Sequence, residues 1–229
     1  MNINNINLNY DLLIWLGLII TFLAQVLIKI IYSKYQKHEN KKRLTGFDVA
    51  RQILDKNELK DILVLETSGF LTDHYDPTKK VIKLSTDIYN GTTISSVAVA
   101  AHECGHAIQD KESYTPMRIR SKIIPTVNLC TKLGYLAIII GALFSYKLML
   151  LGVFLLLGIL LFQIITLPVE FNASSRALKQ INKFNLLSND EQKGAKKVLL
   201  TAAFTYVASV LSTLTQILRY VLIANSRRR

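Results

Sequence analysis

The sequence predicts a mainly α-helical, polytopic membrane protein of about four spans, with a small α+β segment between the first span and the second. Three observations carry this. Half of the 229 residues are hydrophobic, and they are gathered into long blocks. A mixed polar stretch separates the first block from the rest. Lysine and arginine crowd beside the blocks and give a net charge of +12.

The blocks set the spans. Residues 12–31 are apolar except for Thr21, Gln25 and Lys29. Residues 133–144 are apolar apart from Tyr135, and residues 148–167 carry only Gln163 and Thr166 as polar side chains. A helix rises 1.5 Å per residue, so roughly 20 residues cross the hydrocarbon core. The first and third blocks meet that length, and the second does if it starts near Val127. The first block reads as a retained anchor and not a cleaved signal. No basic residue precedes it, the apolar stretch is long, and Lys34, Lys37, Lys41, Lys42 and Arg43 follow it.

The polar segment opens with a helix. Thr45 can cap it, Asp48 stands three residues on, and Val49, Ile53 and Leu54 mark one face. Residues 62–65 and 79–85 read as strands, joined as a hairpin or small sheet through the turn formers of residues 72–77. Residues 92–110 form the next helix, with a threonine cap, and residues 113–125 lead to the second span. Only Ser145, Tyr146 and Lys147 join spans two and three, so these form a tight hairpin. A new helix is expected to start near Pro168, because proline is tolerated in a first turn. Ser188 and Glu191 form a capping box for a final helix, which is apolar enough to span from Leu199 to Ala224.

Positive charge concentrates beside cytoplasmic ends of membrane spans. Here it crowds residues 34–60, 79–83, 118–122 and 176–197, while none occurs up to Asp11. This orients the chain in a membrane. No aromatic-interleaved basic motif accompanies it, so nucleic acid is not an expected partner. Cys104 and Cys130 show no paired spacing, and a disulfide framework is not expected.

The strongest chemical signal is Ala101-His102-Glu103-Cys104-Gly105-His106. On a helix, positions i and i+4 share a face, so both imidazoles can bind one Zn²⁺. Glu103 beside them can take a proton from a metal-activated water. Only four histidines occur in the chain, which makes two of them in this spacing around a glutamate improbable by chance. A catalytic zinc has three protein ligands. A third histidine six residues after His106 would mark one metallopeptidase class, but that position is Glu112. The later acids are Asp110, Glu112, Glu170, Asp190 and Glu191. Asp110 and Glu112 lie too near His106 to fold back, while Asp190 and Glu191 fit a cap. Glu170 directly follows the third span and is taken as the third ligand, the alternative being an acid that complements a helix dipole.

The segment 69–106, together with Leu167-Pro168-Val169-Glu170-Phe171-Asn172-Ala173-Ser174, resembles the YugP-type bacterial membrane proteins, a family described as neutral zinc metallopeptidases. The similarity covers nearly the whole chain, including the spans and the terminal Arg227, Arg228 and Arg229. More distantly, the H-E-x-x-H helix followed by a membrane hairpin and a Glu-x-x-Ala helix is similar to HtpX-type and CAAX-type membrane peptidases. In those relatives the glutamate of the later helix is a zinc ligand, which matches Glu170. They carry an aspartate four residues after it, where this chain has Ser174. Asn172 and Ser174 are the candidates for orienting a zinc histidine. His74 is a candidate to stabilise the transition state, although an exposed histidine is ordinary in a turn. Arg176 reads equally as a lipid-facing charge or a catalytic one. Cys104 reads as a small packing residue.

The expected organisation is a tail and first span (1–33), a zincin-like catalytic segment (34–125) and a membrane hairpin (126–168). A helix with the third ligand and its connector follow (169–198), then a fourth span and basic tail (199–229). The expected activity is that of a gluzincin-like zinc metalloendopeptidase with one Zn²⁺ per chain, acting on peptides or membrane proteins. Its site would lie on the cytoplasmic side of a multi-pass protein in the cell membrane. A non-catalytic zinc-containing scaffold and a zinc hydrolase of lipid-linked groups are the alternatives. The sequence leaves the oligomeric state open. One tension remains in the topology. If the last helix crosses, the three terminal arginines lie outside, against the charge rule; if it lies in the interface, Arg219 snorkels to the head groups.

Overall fold

The computed structural model describes residues 3–226. Seven helices and three strands follow in order: α1 (Ile3–Gln36), α2 (Gly46–Lys56), β1 (Leu63–Thr67), β2 (His74–Asp76), β3 (Val81–Ser85), α3 (Thr86–Tyr89), α4 (Ile94–Lys111), α5 (Thr115–Phe144), α6 (Tyr146–Lys183) and α7 (Asn189–Ser226). Four helical segments are long and apolar enough to cross a membrane: Asp11–Gln36, Thr115–Phe144, Tyr146–Lys183 and Asn189–Ser226. Arg227, Arg228 and Arg229, on which the topological tension turns, lie outside the described residues.

The chain divides into two compact units. The first takes the residues through Gln25, Ile119–Leu167 and the residues from Phe204 onward. Its surface is apolar: Trp15, Phe22, Leu143, Phe144 and Phe154 are all exposed. Large exposed side chains of this kind suit a hydrocarbon solvent. Within it α5 and α6 approach closely at glycine. A Cβ on Gly152 would fall 2.6 Å from the Gly134 carbonyl oxygen, the small-residue contact that membrane helices use to pack.

The second unit comprises Val26–Arg118 and Pro168–Ala203. It holds an ordinary water-type core in which Val49, Ile53 and Leu54 of α2 meet Ile82 and Leu84 of β3 and Val97 and Ala101 of α4. The α2 helix begins where its sequence calls for it. Asp48 N–H donates to Thr45 Oγ1 at 3.1 Å and Thr45 N–H donates to Asp48 Oδ2 at 2.9 Å, closing the capping box. Asn40 is buried in the link between α1 and α2. It donates to the carbonyls of Leu44 and Thr92 and accepts from Leu44 N–H, which fastens this link to the start of α4.

The small sheet expected here is present, and several local expectations are corrected. The strands near residues 62–65 and 79–85 do pair, but in parallel, with Leu63 opposite Val81 and Thr67 opposite Ser85. The hairpin partner of β3 is instead β2, drawn from the turn-rich stretch and giving the order β1-β3-β2. Turn propensity is local, whereas the pairing of His74 to Asp76 with β3 is made by partners that come later in the chain. Residues 115–125 are already α5, which runs through Pro125. No helix starts at Pro168. It lies inside α6, which is continuous from Tyr146 to Lys183. A proline removes one backbone hydrogen bond, a loss that a long apolar helix tolerates where its surroundings re-satisfy the freed group.

The final helix does start at the Ser188 box, yet only half of the box is made. Glu191 accepts from Ser188 N–H at 2.7 Å, while the Ser188 hydroxyl has no partner among the described residues. The other Glu191 oxygen accepts from Lys41 N–H at 2.7 Å. The complete box at α2 is the better stability probe. Thr45→Ala is expected to cost about 1 kcal/mol, read as a fall in the melting temperature of the detergent-purified protein. An unchanged melting temperature would show that tertiary packing alone fixes the start of α2.

Candidate metal centre

The α4 helix is buried on nearly every side, from Ile94 to Gln109. That placement requires small side chains, and Ser95, Ser96, Ala98, Ala100, Ala101, Gly105 and Ala107 supply them. Thr93 caps the helix, accepting from Ser96 N–H at 3.1 Å. His102 and His106, one turn apart, lie on the face that meets α6. Their rings stand nearly perpendicular, with centroids 4.8 Å apart.

Gly105 governs the approach to α6. A Cβ there would lie 2.5 Å from the Ala173 carbonyl oxygen and 3.1 Å from its carbon. Only a glycine lets the two backbones come so close. Glu170, one turn before Ala173, therefore reaches the histidine pair. Its Oε2 lies 3.3 Å from His102 Nε2 and 3.6 Å from His106 Nε2. One donor atom from each of the three residues lies within 4.8 Å of the others. Ligand atoms about 2 Å from a tetrahedral Zn²⁺ are roughly 3.3 Å apart. The two distances to Glu170 are of that size, and two imidazole nitrogens with a carboxylate are a zinc-type donor set.

The far nitrogens of both rings are engaged. His102 Nδ1 lies 3.2 Å from Ser174 Oγ, and His106 Nδ1 lies 3.0 Å from Gln109 Oε1. Gln109 in turn donates to the Val169 carbonyl at 2.8 Å and to Asn172 Oδ1 at 3.0 Å. Metal-binding histidines commonly carry a hydrogen bond on the ring nitrogen that faces away from the metal.

Glu103 is 7 % exposed, and among the described residues no hydrogen bond or ion pair engages its carboxylate. Burial pushes its carboxyl above the usual range; the neighbouring His102 and His106 oppose this and Glu170 adds to it. For His106, burial favours the neutral ring, but the facing Glu170 carboxylate outweighs that and holds the imidazole above its ordinary value. A proton on His106 thus competes with any metal for the same carboxylate. Burial also drives the Cys104 thiol far up, and its Sγ lies 3.6 Å from the Ala50 carbonyl. It is a packing group, and both cysteines are free.

Every other acid near the motif is committed elsewhere. Asp110 accepts from Tyr75 Oη and Lys80 Nζ, and Glu112 pairs with Arg176 at 2.7 Å. Asp190 pairs with Lys193 and Glu191 caps α7. Arg176 pairs with Glu112 and donates, at 2.7 Å, to Asn172 Oδ1. His74 stands apart from the three-residue group. It is exposed on β2, and its Nδ1–H donates to the Thr72 carbonyl at 2.8 Å. The sequence reading passed over Gln109, although a glutamine seven residues after His102 and three after His106 shares their helix face.

The family described as "Putative neutral zinc metallopeptidase" matches residues 10–225. The chain belongs to this zinc metallopeptidase family. A relative from Bacillus subtilis (strain 168), described as "Putative membrane protease YugP", is 46 % identical over 205 residues, covering 89 % of this chain and 91 % of its own length. No solved structure matches. The zinc of the family's description and the donor cluster built by α4 and α6 agree.

For this metallopeptidase family member, the contact of α4 with α6 yields a direct test. Gly105→Ala places a methyl against backbone atoms, which cannot rotate away. It is expected to cost about 1–3 kcal/mol and to weaken zinc binding by drawing Glu170 back from the histidines. Calorimetry and chelator competition would measure both. Parental values for the two would mean that α4 and α6 do not need this separation.

Proposed function

We propose that the chain is a membrane-embedded zinc endopeptidase of gluzincin type. The observation that supports this best is a buried, unengaged carboxylate, Glu103, beside a cluster of three metal-type donors. A largely buried carboxylate that no protein group engages is left free to take a proton from water, and a scaffold that only bound zinc would have no use for it.

In this reading His102, His106 and Glu170 hold one Zn²⁺, and Glu103 is not a ligand. Bound zinc supplies Lewis acidity, which polarises a scissile carbonyl and brings the ionisation of water near neutrality. Glu103 accepts a proton from the attacking water and returns it to the departing amine nitrogen. Its raised proton affinity suits both halves of that transfer. Ser174 and Gln109 keep the two rings turned toward Glu170.

The substrates proposed are peptides or membrane proteins cut near a bilayer. Along α6 the apolar run ends at Leu167, and Glu170 follows about 4.5 Å further on at the helical rise of 1.5 Å per residue. The basic stretches 34–60 and 176–197 support a cytoplasmic site.

Glu103→Gln is expected to keep zinc bound and to lower peptide hydrolysis by about 10²–10⁴-fold, the usual contribution of a general base. Glu170→Gln is expected to lose most of the zinc, since an amide is a poor ligand for it. Metal analysis of each variant beside a mixed peptide library separates these roles. Parental cleavage by Glu103→Gln, or parental zinc in Glu170→Gln, would remove the corresponding assignment.

Sidedness is tested by thiol labelling of intact cells in a Cys130→Ala background, with cysteine placed at Lys183 or at Ser226. The expected pattern is labelling from outside at position 226 and none at 183. Labelling at 183 would reverse the proposed orientation. Labelling at neither would keep the site cytoplasmic and make the apolar part of α7 an interfacial helix.

A further inference from the structure

We infer that Gln109 is a positioning residue of the site: it holds His106 as the Nδ1–H tautomer, with the Nε2 lone pair turned toward Glu170. This rests on the zinc-site reading above and assigns a role to a residue that the H-E-x-x-H motif does not contain.

A guanidinium only donates, so Arg176 Nε–H, 2.7 Å from Asn172, must meet the amide oxygen of that side chain. Asn172 Oδ1 therefore accepts. The group of Gln109 that lies 3.0 Å from the same oxygen must then be its NH₂. The second NH₂ contact agrees, because at 2.8 Å it meets the Val169 carbonyl, which can only accept. With the NH₂ end thus committed twice, the carbonyl end of Gln109 faces His106 Nδ1 at 3.0 Å. An oxygen there requires a proton on Nδ1. The neutral ring then has its lone pair on Nε2, the atom that faces Glu170.

Three features make this a built arrangement. Gln109 is fully buried, so no water competes for either end of its amide. Both NH₂ contacts lie on α6, the helix that carries Glu170, and so the two sides of the site are tied together by the residue that sets the tautomer. The outer end of the chain is itself anchored, since Arg176 also pairs with Glu112, the C-cap of the motif helix. A glutamine that merely satisfied the Val169 carbonyl would need no fixed partner on its oxygen.

The test uses the full chain in detergent, with ¹⁵N-labelled histidine. Four histidines occur, and single replacements assign each ring. In metal-free protein, at a pH high enough to neutralise the ring that Glu170 helps keep protonated, His106 is expected to favour the Nδ1–H tautomer over the Nε2–H form. Gln109→Met, of similar length and without an acceptor, is expected to mix both tautomers and to weaken zinc binding 10- to 100-fold, the range seen when an outer partner of a metal histidine is lost. Gln109→Glu keeps an acceptor and is expected to keep the Nδ1–H signature and recover zinc affinity relative to Gln109→Met. A purely structural role would lower the melting temperature and leave the tautomer alone, and that result would overturn the assignment. So would a folded Gln109→Glu protein that loses the Nδ1–H form, a measurement that stands even if Gln109→Met fails to fold. If the parental protein binds no zinc while the tautomer responds as expected, the zinc reading fails and the orienting role of Gln109 stands.

Discussion

The contact between Gly105 and Ala173 is the constraint on which the candidate site depends. It lets the backbones of α4 and α6 meet without side chains between them. Glu170 is a short reach from two imidazoles only because of that distance. The same approach brings Ser174 to His102 and the Val169 carbonyl to Gln109. Larger residues at position 105 would have to be accommodated by moving a whole helix, since the obstructing atoms are main chain.

Around that contact, polar groups are buried in an environment rich in Ala, Val and Ile, and each has a reason to be there. The NH₂ of Gln109 and the carbonyl of Val169 satisfy one another, and Asn172 bridges Gln109 to Arg176. Farther out, the partly buried Asp110 partners a tyrosine and a lysine, the exposed Glu112 an arginine, and Glu191 the start of α7. Glu103 is the exception, a buried carboxylate that no hydrogen bond compensates. Glu103 stands next to the donor cluster, whereas the fully buried side-chain atoms without a partner among the described residues lie elsewhere, on Gln163, Ser188 and Arg219.

Much of the fold was legible because its signals are local. An apolar run of twenty residues has few solutions other than a spanning helix, and four such helices are present. Thr45 with Asp48 marked the start of α2, and the Ser188 box marked the start of α7, because a cap is decided within one turn. The failures were all non-local. The turn formers of residues 72–77 hid β2, since three residues become a strand only when β3 lies beside them. Parallel pairing of β1 with β3 could not be told from a hairpin by alternation alone. Pro168 looked like a beginning, because the rule for first turns does not know what surrounds a proline inside a long helix and makes up for its lost hydrogen bond.

The sequence by itself determined that two imidazoles share one face of a helix, since a spacing of four residues on a 3.6-residue turn permits nothing else, and that a glutamate adjoins one of them. It also determined that the chain carries long apolar segments beside basic ones. The tertiary structure decided what those residues meet. That Glu170 lies opposite His102 and His106, that Ser174 stands at one ring and Gln109 at the other, and that Arg176 points back to Glu112 are facts of helix-to-helix distance. Separations of 60 to 72 residues along the chain become about 3 Å in space. No local pattern encodes such a distance, because it is set by the packing of two backbones at a glycine.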